Sequence, residues 1–217
     1  MPKSDFTKHL DAIQAHVARF LKPLAFRKKG RTYNRATEGG LVQVVNFQMG
    51  QYPIGEHYVI PGIRESYYGK FTVNLGVLLP CIWDVERQKP VPDFVQEYCC
   101  TIRGRLASLA FGIDQWFELM PETSALAATL VQLFDKFGLP FLDQFPDYAA
   151  VLAYFDAHGD LPFQNTGRAA LEAAIVAHHI GNSQKARCLS AKAHSTDHKG
   201  FRQHVSTLAN RLGYRVA

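Results

Sequence analysis

The chain has 217 residues, 47% of them hydrophobic and 20% charged, with a formal net charge of +5. Such a composition excludes intrinsic disorder, which needs low hydrophobicity and high net charge, and it suffices for a buried core without disulfide or metal support. No uninterrupted apolar run approaches the ~18 residues of a membrane span, and the opening MPKSDFTKHLDAIQAH lacks the apolar core of a secretory signal, so a cytoplasmic protein without membrane contact is expected.

Residues 4–22 read as an amphipathic helix. Phe6, Leu10, Ile13, Val17, Phe20 and Leu21 recur at three- and four-residue steps, Ser4 or Asp5 caps the start and Pro23 marks the end. Strand patterns follow. Arg31–Ala36 leads through Glu38-Gly39-Gly40, a turn signal, into Leu41–Met49. In the second run Leu41, Val45, Phe47 and Met49 share a face, with Gln43 as the polar exception, and Asn46 and Gln48 take the other.

Residues 50–69, rich in glycine and proline, form a long excursion, the kind of connection that carries function. Lys70–Leu79 is the clearest strand, with Phe71, Val73, Leu75 and Val77 against Thr72, Asn74 and Gly76. Residues 84–93 read as a loop, Tyr98–Leu106 as a strand and Trp116–Met120 as a short last strand.

Beyond residue 121 the pattern is helical. Thr123 heads residues 124–137 with Gly138 as the stop, and Asp147 heads 148–157. Helices over 167–179, 183–193 and 197–212 follow, and Ala186, Ala191 and Ala193 allow close helix approach. Strands in series without crossover helices favour an antiparallel sheet. The expected fold class is α+β, with about four or five strands, the N-terminal helix packed on the sheet and an all-helical C-terminal segment. The expected division is a sheet domain over 1–121 and a helical subdomain over 122–217.

Charge is uneven. Residues 158–217 hold eight Lys and Arg against three acids, so the excess of positive charge lies in the helical tail. Cys81, Cys99, Cys100 and Cys188 have neither disulfide-framework nor metal-ligand spacing and fit a reducing compartment. His194 and His198 flank Ser-Thr-Asp, a turn with a cap that breaks a shared helical face, so no metal site is expected there. Phosphate-loop, dinucleotide and zinc-protease motifs are absent, as are serine-hydrolase motifs. No cofactor is expected.

One polar surface stands out. Asn46, Gln48, Thr72 and Asn74 project together if the strands keep the register that alternation suggests. Arg31, Tyr33 and Arg35, or alternatively Thr32 and Asn34, join them, and Arg103 and Arg105 flank Gly104. A face of amides and guanidiniums suits a carboxylate, a phosphate or a loop of another protein. The candidate binding residues are therefore Arg31, Tyr33, Asn46, Gln48, Asn74, Arg103 and Arg105, with no catalytic residue assigned.

The segments LKPLAFRKKGRTYNR, LVQVVNFQMGQ, GKFTVNLGV and CTIRGRLASL with DQWFEL resemble, in that order, the bacterial domain of unknown function 4304 family. Ala25 stands where that family usually has glycine before Phe26, and Phe117 where a second tryptophan is common. The resemblance covers the first 120 residues well. It implies an α+β fold in a bacterial cytoplasmic protein and no known reaction.

The expected function is that of a non-enzymatic binding protein whose partner is a protein with an acidic surface, an immunity-type toxin inhibitor being one form. One alternative is nucleic-acid binding through the basic C-terminal helices. The other is an enzyme that clamps an anionic small molecule with Arg31, Arg103 and Arg105.

Overall fold

A computed structural model describes residues 4–50, 59, 60, 65–162, 164–195 and 198–216. Most of the 50–69 excursion, together with Thr196 and Asp197 of the proposed histidine turn, therefore lies outside the described residues.

The fold is α+β. Helix α1 (Asp5–Leu21) starts at Ser4, whose hydroxyl accepts from the Thr7 amide, and buries Leu10, Ile13, Val17 and Leu21. A 3-10 turn, Lys22–Leu24, ends at Ala25 in the left-handed region (φ 64°). The strands are β1 (Arg27–Lys29), β2 (Thr32–Ala36), β3 (Val42–Met49), β4 (Lys70–Leu78), β5 (Ile102–Arg105) and β6 (Phe117–Glu118). They form one antiparallel sheet in the order β1-β2-β3-β4-β5, with β6 paired to the first residues of β4.

Strand β1 adds to the sequence expectation. Its three residues are all exposed and so show no alternation. A two-residue turn sets its register, Lys29 facing Thr32, with Gly30 at φ 60° supplying the positive angle that a tight hairpin needs.

Contacts divide the chain into two compact units, each assembled from separate segments. Unit 1 comprises residues 1–35, 44–75 and 104–141, and unit 2 comprises 36–43, 76–103 and 142–217. A cut at residue 121 follows the change from strands to helices along the chain but not these units. Helix α4 (Ser124–Leu133) packs on α1 and so belongs to unit 1.

In unit 1 the apolar sheet face carries Phe47 and Phe71, their rings 6.1 Å apart, with Phe134 at 6.3 Å and Tyr33 at 6.0 Å from Phe47. Residues Phe134–Gly138 form a π-helical turn that continues into α5 (Leu139–Asp143). Gly138 is therefore not a stop. The Leu139 amide reaches back five residues to the Phe134 carbonyl. This wider turn absorbs Pro140, which has no amide hydrogen for a normal helical bond. Ser124–Asp143 is long and apolar enough, by length and composition, to cross a membrane. An unbroken-run criterion misses it because Asp135 and Lys136 interrupt it. Its apolar stretch is 39% buried, with Ala127, Leu130 and Phe134 in the core.

In unit 2, α2 (Pro80–Arg87) occupies part of the expected 84–93 loop, Pro80 sitting in the first turn where its missing donor costs nothing. The expected Tyr98–Leu106 strand shortens to β5, because Glu97–Cys99 is a 3-10 turn and Leu106 opens helix α3 (Leu106–Phe111) in unit 1. Helices α6 (Tyr148–His158), α7 (Thr166–His179), α8 (Ser183–His194) and α9 (Lys199–Arg211) complete unit 2. Asp147, Asn165, Asn182 and His198 cap them through side chains. Residues 169–177 of α7 are all buried, the charged Glu172 among them. Ala186 and Ala193 pack, whereas Ala191 faces solvent.

Candidate functional site

The amide-rich face exists, but its polar groups are spent on one another. Within unit 1, Asn46 Nδ2 donates to Thr32 Oγ1 at 2.9 Å and Asn74 Nδ2 to Gln48 Oε1 at 2.9 Å. Arg105 Nε donates to Asn74 Oδ1 at 3.3 Å, while its Nη1 is held by the Asp114 carboxylate. The guanidinium also lies over the Trp116 ring, which stacks on Tyr67 with centroids 4.3 Å apart. Gln48 is exposed, but Asn74 is only 4% exposed and Thr72 fully buried. The face is therefore not an open row of amides, as alternation alone suggests.

Three of the candidate residues lie elsewhere. Thr32 is the β2 residue that joins Asn46, so Tyr33 turns to the apolar face, where it is 1% exposed and donates its hydroxyl to the Gln14 carbonyl at 3.1 Å. Burial pushes its phenol well above the ordinary range. Arg31 sits in the β1–β2 turn, where its carbonyl accepts from the Phe47 amide of β3 at 2.9 Å. Arg103 belongs to unit 2, where its Nε donates to Glu97 Oε1 at 2.5 Å. Arg103 thus spends its Nε on Glu97, and Arg105 its Nε and Nη1 on Asn74 and Asp114.

Five of the eight C-terminal basic residues are likewise engaged. Arg168 is held between Glu86 and Glu172, and Lys185 meets Asp156. Arg187 lies over the Tyr214 ring and Lys192 over Phe155. Arg211 donates to the Val85 carbonyl at 2.6 Å. The adjacent histidines each pack on a tyrosine, His178 Nδ1 lying 2.7 Å from the Tyr214 hydroxyl and His179 beside Tyr148. No group of three metal-ligating side chains gathers among the described residues.

A different feature of unit 1 has the shape of a site. Between the C-terminal end of α1 and strands β1 and β2 lies a cavity of about 430 Å3. Ala18, Phe26 and Tyr33 give it apolar walls, and Lys22, Arg27 and Lys28 bring cations to it. Lys28 Nζ lies 5.6 Å from the Tyr33 ring centroid, a cation–π distance. Lys22, Arg27 and Lys28 are exposed, and none forms a salt bridge among the described residues. The bend that makes the cavity comes from Ala25 and its positive φ. The signal for these residues was the basic run in AFRKKGR. Its lack of alternation hides it from a search for strand faces.

The cavity residues fall within the region that defines the family. The chain belongs to the family described as Domain of unknown function (DUF4304), whose profile matches residues 17–144, more than half of the chain. Neither a curated protein nor a solved structure matches it.

Proposed function

We propose that this chain is a binding protein that holds an acidic partner protein at the cavity between α1 and β1. The observation that carries this reading is the cluster of Lys22, Arg27 and Lys28, unbridged to any carboxylate among the described residues, around apolar walls of Phe26 and Tyr33. An apolar side chain entering the cavity would gain burial while flanking carboxylates meet the cations, the arrangement that fixes both affinity and register at an interface. Four free cysteines, one of them the exposed Cys188, favour a reducing compartment such as the cytoplasm. An immunity-type inhibitor is one protein of this kind. Nucleic-acid binding through the tail is disfavoured, because most of its cations already have intramolecular partners.

The test is titration of the chain with a labelled peptide, Glu-Glu-Phe-Glu-Glu, followed by fluorescence anisotropy. Saturable binding is expected at low salt, weakening severalfold between about 50 and 200 mM salt because the contacts are exposed. The triple variant Lys22→Glu, Arg27→Glu, Lys28→Glu is expected to abolish it. Equal binding of the Lys-Lys-Phe-Lys-Lys peptide, or no saturation by either peptide, overturns the reading.

A further inference from the structure

Strand β1 has a neighbour on one side only. Arg27 faces Asn34, Lys28 faces Tyr33 and Lys29 faces Thr32 on β2, and no strand pairs with the other side of β1 among the described residues. All three of its residues are exposed.

The hairpin decides which backbone groups that open side presents. Gly30 and Arg31 are the two residues between the strands, so Lys29 and Thr32 exchange the hydrogen bonds that close the turn. Antiparallel pairs alternate between hydrogen-bonded and non-hydrogen-bonded. Lys28 and Tyr33 are therefore a non-bonded pair, and the Lys28 N–H and C=O point away from β2. Neither group takes part in a turn, loop or cap hydrogen bond among the described residues. Outward backbone groups of this kind are a template for a further strand.

The same residue borders the larger cavity. Lys28 shares a face with Tyr33, and its Nζ lies 5.6 Å from the Tyr33 ring centroid. That ring is held in place by its hydroxyl, which donates to the Gln14 carbonyl at 3.1 Å. Arg27 and Lys29, one step either way, leave the strand on the opposite face, and Arg27 borders the cavity as well. A strand laid beside β1 thus sets one residue, opposite Lys28, on the cavity side and sets its two neighbours opposite Arg27 and Lys29.

We propose, on the reading that this cavity takes an acidic partner protein, that the partner enters as an extended segment adding an antiparallel strand to the open side of β1. One residue of the segment exchanges both main-chain hydrogen bonds with Lys28. Its N–H donates to the Lys28 carbonyl, and its carbonyl accepts from the Lys28 N–H. That residue is aromatic or aliphatic and turns its side chain into the cavity between Phe26 and Tyr33. The residues before and after it are acidic, at cross-strand positions where opposite charges attract. Main-chain bonds then supply affinity and alternate side chains supply selectivity. Antiparallel addition suits so short a strand, because both bonds of the single outward pair meet on one residue.

The experiment is an anisotropy titration of the full chain with labelled Glu-Glu-Phe-Glu-Glu and two methylated forms of it. One carries an N-methyl group on the Phe amide, which faces the Lys28 carbonyl in this arrangement. The other carries it on the amide of the following Glu, which faces away from β1. Both have the same charge and composition, so the effect of methylation on the free peptide is matched. Methylation at Phe is expected to weaken binding by at least about tenfold, since a hydrogen bond is lost and its acceptor is covered without a donor. Methylation at the following Glu is expected to leave the affinity unchanged. If the parent peptide saturates but the methylated peptides bind as it does, weaken equally, or lose affinity at Glu alone, strand addition is overturned and the acidic-partner reading stands. If the parent peptide does not saturate, both fall.

Discussion

Ala25 holds a backbone angle that suits glycine. Its φ of 64° follows the 3-10 turn after α1, and its Cβ pays the steric cost of the left-handed region, of order 1–2 kcal/mol. Glycine at this position is what the family resemblance leads one to expect, and the structure supplies the reason. Ala25→Gly should raise the unfolding free energy by about 0.5–1 kcal/mol, the steric relief being partly offset by a more flexible unfolded chain. Urea denaturation reads this directly, and an unchanged or lower midpoint would contradict it. Tyr33 teaches the opposite lesson. Alternation within β2 does not decide which of Thr32 and Tyr33 faces Asn46, because Arg31, Tyr33 and Arg35 alternate with Thr32 and Asn34 and both sets contain polar groups. Only the pairing with β3 settles it, and pairing is a long-range property that a strand does not carry by itself.

At the scale of elements, strong periodicity was legible and weak periodicity was not. Helix α1, strands β3 and β4 and the caps at Asp147 and Gly159 follow from local chemistry. Strand β1 shows three consecutive cations, and α2 hides behind a proline and a charged stretch, so neither has a face to detect. The Arg168–Glu172 pair, at helical i,i+4 spacing, was a readable signal for the ion-pair cluster around Arg168. Its second carboxylate, Glu86, lies too far away in sequence to be paired by spacing. Close packing at β4 makes a sharper claim. A Cβ on Gly76 would lie 2.7 Å from both Cβ and Sγ of Cys100. Gly76→Ala should therefore destabilise the protein by about 1–3 kcal/mol, as overpacked cores do. Thermal melting checks this, and a melting temperature equal to wild type would show that the strand shifts at no cost.

At the scale of the whole molecule, the contribution of Glu172 to stability should run against the usual carboxylate trend with pH. Burial raises Glu172 in the folded chain to about 7, above its ordinary value of 4.5. A carboxyl raised on folding contributes stability that is fully present below its unfolded value and lost as pH climbs through its folded value. Glu172 should thus favour the fold near pH 5 and weaken it towards pH 8. Glu172→Gln should flatten that part of the stability profile, as measured by denaturant midpoints across this range, and an unaltered slope would assign the effect to other groups. The first strand of the sheet has a consequence of its own. A sheet margin normally invites a second copy of the same chain to zip onto it, but β1 is only three residues long and bears Arg27, Lys28 and Lys29. Like charges would face like charges in any such pairing, so this short cationic margin discourages copies of the chain from zipping together, and neutralising it would remove that deterrent.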